Sequence, residues 1–423
     1  MAEARCGLLG RTLGHSWSPQ IHARLGSTPY ALFEREPDEA EHFLRAGTWT
    51  GLNVTIPYKA LAARVADTRS PRVERLGVAN TLVRRADGSI HAENTDVLGF
   101  SWVLDRFCRR ELATSAAEAF ADGEMLVLGS GGACRAACMA LAELVGHEAT
   151  VISRSGPDTY ENLAERHPHA RLAVNATPVG MFPSCPASPL GGETIAALAE
   201  LRAVIDVIYN PERTGLCLEA ERRGIACESG LAMLVSQAFY ASQLFQGTTL
   251  DEALVGRIEG EIRATQRNIV LIGMPGAGKT STGRALARML RRPFVDLDDA
   301  FAVETGSSAA DYIRDRGEDA FRERESAVAA AYGSRSGLVI ACGGGIVTRP
   351  RNYDLIHQNG TIVFVDRPLS QLASEGRPLS QLKGIEALAR ERMGLYRSWA
   401  DVTLPCTGSA AGDAALLREL LEL

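Results

Sequence analysis

Apolar residues along this chain gather in short runs that alternate with longer stretches of helical period. Short runs stand at Met125-Leu-Val-Leu128, at 149–153, at 204–208, at Asn268-Ile-Val-Leu-Ile272 and at 338–341. Helical spacing follows at 135–145, at 282–290 and at 250–258, where Leu250, Ala253, Leu254 and Ile258 share one face. Strand then helix, repeated throughout, predicts an α/β fold with parallel sheets. No apolar run approaches the ~18 residues that a membrane helix needs. The pattern predicts two domains, 1–265 and 266–423. Within the first, a section from Met1 to about Leu98 separates from one running from Gly99 to about Ser229. The joining segment is predicted helical, not a flexible Gly/Ser tether, and each domain has enough chain for its own core.

Composition narrows the class. Apolar residues make up 46% of the chain, ample for globular cores. A net charge of −6 argues against non-specific nucleic-acid binding. Nine cysteines include no C-x-x-C pair, and Cys134 and Cys138, on one helix face, have no histidine beside them. Reduced, buried thiols of a cytoplasmic protein are expected. The opening Met1-Ala-Glu-Ala-Arg-Cys-Gly-Leu-Leu-Gly10 predicts a short lead into a strand, not a signal peptide. The expected partners are small-molecule substrates, not nucleic acid or membrane, for a monomer or homodimer.

Two glycine motifs carry nucleotide chemistry. Gly273-Met-Pro-Gly276-Ala277-Gly278-Lys279-Thr280-Ser281 fits G-x-x-x-x-G-K-[ST] between a predicted strand and helix. Backbone N–H groups of such a loop cradle phosphate oxygens, Lys279 reaches the β/γ-phosphates and Thr280 ligates Mg²⁺. The loop therefore predicts ATP and Mg²⁺ as cofactors. Gly129-Ser-Gly131-Gly132-Ala133 follows the strand at 125–128 and fits part of a dinucleotide fingerprint, with Cys134 at its third small position. Ser153-Arg154-Ser155 lies about 25 residues beyond Gly129. A cation flanked by hydroxyls there suits a 2′-phosphate, where an NAD enzyme would carry an acid.

The N-terminal section holds polar clusters at predicted strand ends. Gly14-His15-Ser16-Trp17-Ser18-Pro19 opens a helix, and Asn53-Val-Thr55-Ile-Pro57-Tyr58-Lys59 ends a strand. Asn80-Thr81 and Glu93-Asn94-Thr95-Asp96 add amides, hydroxyls and a carboxylate. Each alone reads as a turn or cap. Together they describe a pocket for a small, hydroxyl-rich anion.

These clusters, with G-x-G-G-A, Asn175-Ala-Thr177-Pro-Val-Gly-Met181 and Gly230-Leu-Ala-Met-Leu-Val-Ser-Gln237, stand in the order found in shikimate dehydrogenases, which the first 265 or so residues resemble. The resemblance implies a substrate domain built from 1–98 with about 230–265, joined to a Rossmann NADP domain of 99–229. It implies that Lys59 and Asp96 form the catalytic pair as hydride moves between nicotinamide and C3 of the substrate. A lysine beside a carboxylate can exchange a proton with a carbonyl or hydroxyl oxygen in reach. By the same resemblance Ser16 and Ser18 bind the substrate carboxylate, with Tyr209 near it. Asn53, Thr55, Asn80, Asp96 and Gln237 bind hydroxyls or position the ring. NADP(H) is assigned to Gly129, Gly131, Gly132, Ala133, Ser153, Arg154, Ser155, Asn175 and Thr177. The chain departs from the family between Arg154 and Asn175, where only one short helix and one strand fit. An outer strand of the sheet is expected to be missing.

From about Asn268 the chain resembles shikimate kinase, on Phe294-Val-Asp296-Leu-Asp298, Phe321-Arg322, Gly343-Gly344-Gly345, Arg377-Pro378-Leu379 and Arg392-Met-Gly-Leu-Tyr396. The resemblance implies a P-loop domain with a parallel sheet. ATP is assigned to Gly273, Gly276, Ala277, Gly278, Lys279, Thr280, Ser281 and the lid residue Arg377. Mg²⁺ is assigned to Thr280 and Asp296. Asp298 binds the acceptor hydroxyl and takes its proton, and strand alternation is expected to set both acids on one side of an extended segment. Arg322, Arg392, Gly343, Gly344 and Gly345 form the substrate clamp. The lid before Arg377 is short. The joint reading is a bifunctional shikimate-pathway enzyme. Its rivals are a quinate/shikimate dehydrogenase fused to another small-metabolite kinase, and a catalytically inactive metabolite sensor.

Overall fold

A computed structural model describes residues 6–14, 16–372 and 384–423. The strands are β1 Cys6–Gly10, β2 Tyr30–Glu34, β3 Gly51–Val54, β4 Thr68–Arg69, β5 Thr81–Arg84, β6 Ile90–Glu93, β7 Glu124–Leu128, β8 Thr150–Ile152, β9 Ala170–Asn175, β10 Ala203–Asp206, β11 Ala226–Glu228, β12 Asn268–Ile272, β13 Phe294–Asp296, β14 Val339–Ala341, β15 Gly360–Asp366 and β16 Val402–Pro405. They form three sheets flanked by helices, in the orders β2-β1-β3-β5-β6-β4, β11-β10-β9-β7-β8 and β13-β14-β12-β15-β16. The second and third sheets are parallel throughout.

The first sheet differs from the parallel expectation. β5 runs antiparallel to both β3 and β6. For the β5–β6 pair the cause is local: the two strands are joined by a tight turn, closed by Arg85 N–H to Ser89 O at 2.8 Å, in which Gly88 follows Asp87. Asp-Gly is a hairpin signal, and a hairpin cannot make a parallel pair. In the second sheet β8 is an edge strand. The helix Leu163–Arg166 and β9 are the elements between Arg154 and Asn175, so the shortened segment leaves no outer strand.

The helix Thr95–Glu111 runs through the expected boundary at 98/99. Asn94 caps it, accepting the Val97 N–H at 3.3 Å. It packs on the helix Leu231–Gln246. A Cβ added to Gly99 would lie 2.8 Å from the Gln237 nitrogen, so glycine there sets how closely the two helices approach. Phe100, Leu104 and Phe107 of the first helix are fully buried with Phe120 and Val127.

Two compact units divide the chain, and the division is not a single cut. One contains Met1–Val179, Ser188–Tyr209 and Glu219–Glu261, and the other contains Ile262–Leu423 with Gly180–Ala187 and Asn210–Leu218. Within the second unit the Glu212 N–H meets Asn359 Oδ1 at 2.8 Å, and Arg213 N–H meets Gln358 O at 2.8 Å. The Glu212 carboxylate takes Arg267 Nε at 2.8 Å and Arg263 Nε at 3.0 Å. Burial pushes its pKa up, but Arg267, Arg213 and Arg263 outweigh burial and hold it below the usual range. A fragment beginning at 266 lacks this segment.

In the first unit His22 is fully buried and stacked on Tyr30, ring centroids 4.1 Å apart. Neither ring nitrogen has a hydrogen-bond partner among the described residues. Burial, only partly opposed by the Asn53 side chain, lowers its pKa to about 3. The unfolded chain takes up a proton near pH 6.5 while the fold refuses it until about pH 3, so stability is lost as pH falls through that window. His22→Phe should flatten this loss, leaving the variant relatively more stable by roughly 2 kcal/mol at about pH 5 than at about pH 8. Urea unfolding at the two pH values measures the difference. A parallel shift at both would show that His22 does not titrate on unfolding.

Candidate active sites

Parallel pairing of β1 with β3 sets Leu9 opposite Val54, and antiparallel pairing sets Asn53 opposite Thr81 and Thr81 opposite Glu93. The segments carrying Ser16, Thr55, Asn80 and Asp96 therefore gather at the same end of the strands of the first sheet. Lys59 is the first residue of the helix Lys59–Val65, and Asp96 lies in the first turn of Thr95–Glu111. Their side chains meet, Lys59 Nζ to Asp96 Oδ2 at 2.6 Å, both mostly buried. Asn80 Nδ2 donates to the other Asp96 oxygen at 2.8 Å and to Thr95 Oγ1 at 3.0 Å, while Asn80 Oδ1 accepts the Thr95 N–H at 2.7 Å. Thr81 continues the chain of hydroxyls, 3.0 Å from Thr95 Oγ1. Asn53 closes it, donating to Thr81 Oγ1 at 3.2 Å and accepting from Tyr30 OH at 2.9 Å. The Asn53 amide is thus spent inside this network and supports the pair from behind.

Ser16 and Ser18 lie together, Oγ to Oγ 3.1 Å, at the start of the helix Ser18–Arg24. Trp17 packs on Tyr209, centroids 4.9 Å apart, and burial raises the Tyr209 pKa. Thr55 reaches the loop after β1: a Cβ on Gly10 would touch Leu13 and Thr55 Cγ2. Gln237 is half-buried on the helix Leu231–Gln246, its amide donating to Leu234 O at 2.9 Å.

The second glycine motif joins β7 to the helix Gly132–Val145. Gly129 has φ +112°, and its N–H bonds Ile152 O at 2.8 Å. A Cβ on Gly131 or on Gly132 would meet nothing within 4 Å, so the turn leaves an open cradle at a helix N-terminus, which fits a pyrophosphate. Ala133 follows in the helix. Arg154 is exposed and has no carboxylate partner among the described residues, which fits a 2′-phosphate. Ser153 and Ser155 are tied to each other by the Ser153 hydroxyl. Asn175 is fully buried: it donates to Asp206 at 2.9 Å and accepts from Thr177 N–H at 3.0 Å and Thr177 Oγ1 at 2.7 Å. It shapes the Thr177 turn from within.

In the second unit the phosphate loop leaves β12 and enters the helix Lys279–Leu290, with Thr280 and Ser281 in its first turn. Gly273, Gly276 and Gly278 all have positive φ, which folds the loop back on itself. Lys279 Nζ donates to Gly273 O at 2.9 Å and Met274 O at 3.0 Å, which holds its ammonium over the loop. Thr280 Oγ1 lies 2.7 Å from Asp296 Oδ2. A hydroxyl and a carboxylate as neighbours are hard oxygen donors, which fits Mg²⁺.

Asp298 departs from the extended segment expected for it. β13 ends at Asp296, whose carboxylate caps the helix Leu297–Thr305 by accepting the Asp298 N–H at 3.0 Å. Asp298 stands in the first helical turn, and capping rather than strand alternation sets its place. The residue stays exposed, yet the protein crowding its carboxylate, together with Asp296, pushes its pKa above the usual aspartate range.

The three glycines after β14 allow close approach. A Cβ on Gly343 would lie 2.6 Å from Asp298 Oδ1 and 3.0 Å from Glu325 Oε1, and one on Gly345 only 2.0 Å from Arg322 Nη1. Arg322 is buried and paired with Glu325 at 2.7 Å and Glu318 at 3.3 Å. Arg392, also buried, donates to Gly344 O at 3.1 Å. Arg377 and its short lid lie outside the described residues.

Several contributors escaped the sequence reading. Thr81 and Thr95 stand inside quoted motifs but carry no assigned role there. Glu325 was missed although a signal was there, since it lies three residues from Arg322 on one helix face. Arg367 and Asp413, beside the phosphate loop, give no local signal.

A family profile described as shikimate dehydrogenase substrate binding domain matches residues 8–82. One described as shikimate kinase matches residues 275–422. The shikimate dehydrogenase (NADP(+)) of Methylobacterium radiotolerans is 34% identical over 261 residues, 56% of this chain and 89% of that protein. Among solved structures, a chorismate mutase/shikimate 5-dehydrogenase fusion protein from Clostridium acetobutylicum is 30% identical with a TM-score of 0.54, covering 62% of this chain and 98% of that one. Shikimate 5-dehydrogenase from Thermus thermophilus, in complex with NADP(H) and shikimate, is 30% identical with a TM-score of 0.51, covering 61% and 99%.

The cradle separates folding from binding. Gly129→Ala forces a side chain to φ +112° and sets its Cβ 3.0 Å from Thr177 Cγ2, so it should cost about 1–3 kcal/mol in denaturant unfolding. Gly131→Ala meets open space and should change stability by less than about 0.5 kcal/mol, while its methyl fills the cradle and weakens dinucleotide binding several-fold. Equal dinucleotide affinity in wild type and Gly131→Ala would remove this turn from the binding site.

Proposed function

This chain belongs to the shikimate dehydrogenase family and carries a shikimate kinase domain behind that part, and from that premise we propose that it catalyses two consecutive steps. It reduces 3-dehydroshikimate to shikimate with NADPH, then phosphorylates shikimate to shikimate 3-phosphate with ATP. The observation that carries this reading is the Lys59–Asp96 pair at 2.6 Å, braced by Asn80. It is the kind of couple that protonates an oxygen while the carbon it is bound to is reduced.

Bound NADPH supplies the hydride. Lys59 donates the proton that the carbonyl oxygen takes up, and Asp96 holds the lysine and a neighbouring hydroxyl in register. Ser16 and Ser18 hold the carboxylate at the start of their helix, near Tyr209. Thr55 and Gln237 orient the ring, while Asn53 acts behind them. Arg154 selects the 2′-phosphate. In the other unit bound ATP supplies the phosphoryl group. Asp298 takes the proton of the attacking hydroxyl. Thr280 and Asp296 hold Mg²⁺, and Lys279 offsets charge on the transferring group together with Arg377. Arg322 and Arg392 grip the substrate carboxylate as guanidinium forks. The assembled Lys59–Asp96 and Thr280–Asp296 contacts speak against an inactive sensor.

Lys59→Ala should lower kcat for reduction by ~10²–10⁴ and leave phosphorylation intact, whereas Asp298→Asn should do the reverse. Steady-state assays of both activities on each variant test the split, and near-normal reduction by Lys59→Ala would sink the assignment. Arg154→Asp should move coenzyme preference from NADPH towards NADH. A wild type that uses both equally well would show that Arg154 does not read the 2′-phosphate.

A further inference from the structure

Arg367 follows β15 and lies against the back of the phosphate loop. Its Nε donates to Ala277 O at 2.9 Å, and a Cβ on Gly278 would lie 3.3 Å from its Nη2. Nη2 also pairs with Asp413 Oδ2 at 3.4 Å. Asp413 is fully buried and is itself fixed, accepting Thr407 Oγ1 at 2.8 Å, the Thr407 N–H, and Thr282 Oγ1 at 3.4 Å. The guanidinium is therefore clamped between a rigid carboxylate and one loop carbonyl.

The consequence follows from peptide planarity. The carbonyl of Ala277 and the N–H of Gly278 belong to one trans peptide, so they point in opposite directions. Fixing the carbonyl outward on Arg367 aims the Gly278 N–H into the loop, where phosphate oxygens bind. Without that clamp only the Cys406 thiol, 3.9 Å away, still faces the Ala277 carbonyl, and Gly278 at φ +98° has no side chain to resist rotation of the peptide. We propose that Arg367, held by Asp413, is a positioning residue for nucleotide binding that orients the Gly278 N–H toward the phosphate nearest Lys279. The proposal rests on the kinase reading and adds to it a basic residue outside the lid.

The test uses the full-length chain and calorimetric titration with Mg²⁺–ADP and with AMP, which share base, sugar and first phosphate. Arg367→Ala should raise the ADP dissociation constant about tenfold and leave that of AMP within about twofold. The KM for shikimate should not change. Arg367→Lys, which keeps a donor but loses the fork, should recover part of the ADP affinity. It also serves if the alanine variant fails to fold. Equal losses for ADP and AMP would mean that Arg367 touches the nucleoside or first phosphate directly, and would overturn the proposal. Unchanged ADP affinity with a lowered melting temperature would reduce Arg367 to a fastening of the fold, and would overturn it too. Failure of the wild type to bind ADP would instead refute the kinase reading itself.

Discussion

A buried polar atom left without a partner costs about 1–3 kcal/mol, and both sites are organised by the need to avoid that cost. Asn80 is buried between three elements and satisfies both ends of its amide: Asp96 and the Thr95 hydroxyl on one side, the Thr95 N–H on the other. That arrangement fixes the Asp96 carboxylate, and Asp96 fixes the Lys59 ammonium. In the second unit Asp413 does the same for Arg367, Thr407 and Thr282. In each case the more accessible side chain is the end of a network whose buried members allow few alternatives.

The second common feature is electrostatic. Ser18, Asp96, Gly132, Lys279 and Asp298 all lie in the first turn of a helix. Unpaired N–H groups and the positive end of the helix dipole gather there, which favours anions. The substrates proposed for the chain carry a carboxylate, a pyrophosphate or a triphosphate. Lysines at such positions oppose the dipole. Lys59 is offset by Asp96, and Lys279 by the carbonyls of Gly273 and Met274.

Glycine serves two distinct purposes in these sites. Gly131 and Gly132 leave open space beside the chain, whereas Gly343 and Gly345 let charged side chains come against the backbone. The repeated glycine after β14 is thus tied to the placement of Asp298, Glu325 and Arg322. Substitution there would displace these charges, not merely strain a turn.

The phosphate loop, the dinucleotide turn and the ordered polar clusters were legible in the sequence because each depends on backbone conformation within a few residues. The parallel second and third sheets were legible for the same reason, from alternation of short apolar runs and helical stretches. Tertiary structure decided what depends on distant partners. It turned the amides of Asn53 and Asn175 inward, onto Thr81 and Asp206. It placed Asp298 on a helix, because the Asp296 carboxylate caps that helix rather than continuing a strand. It assigned Asn210–Leu218 to the second unit, through contacts with residues near 267 and 359. It also brought Arg367 to Asp413 and Ala277 across 46 and 90 residues of chain. A short motif specifies how its own backbone turns, but which buried carboxylate or carbonyl a side chain finds is set only when separate elements pack together.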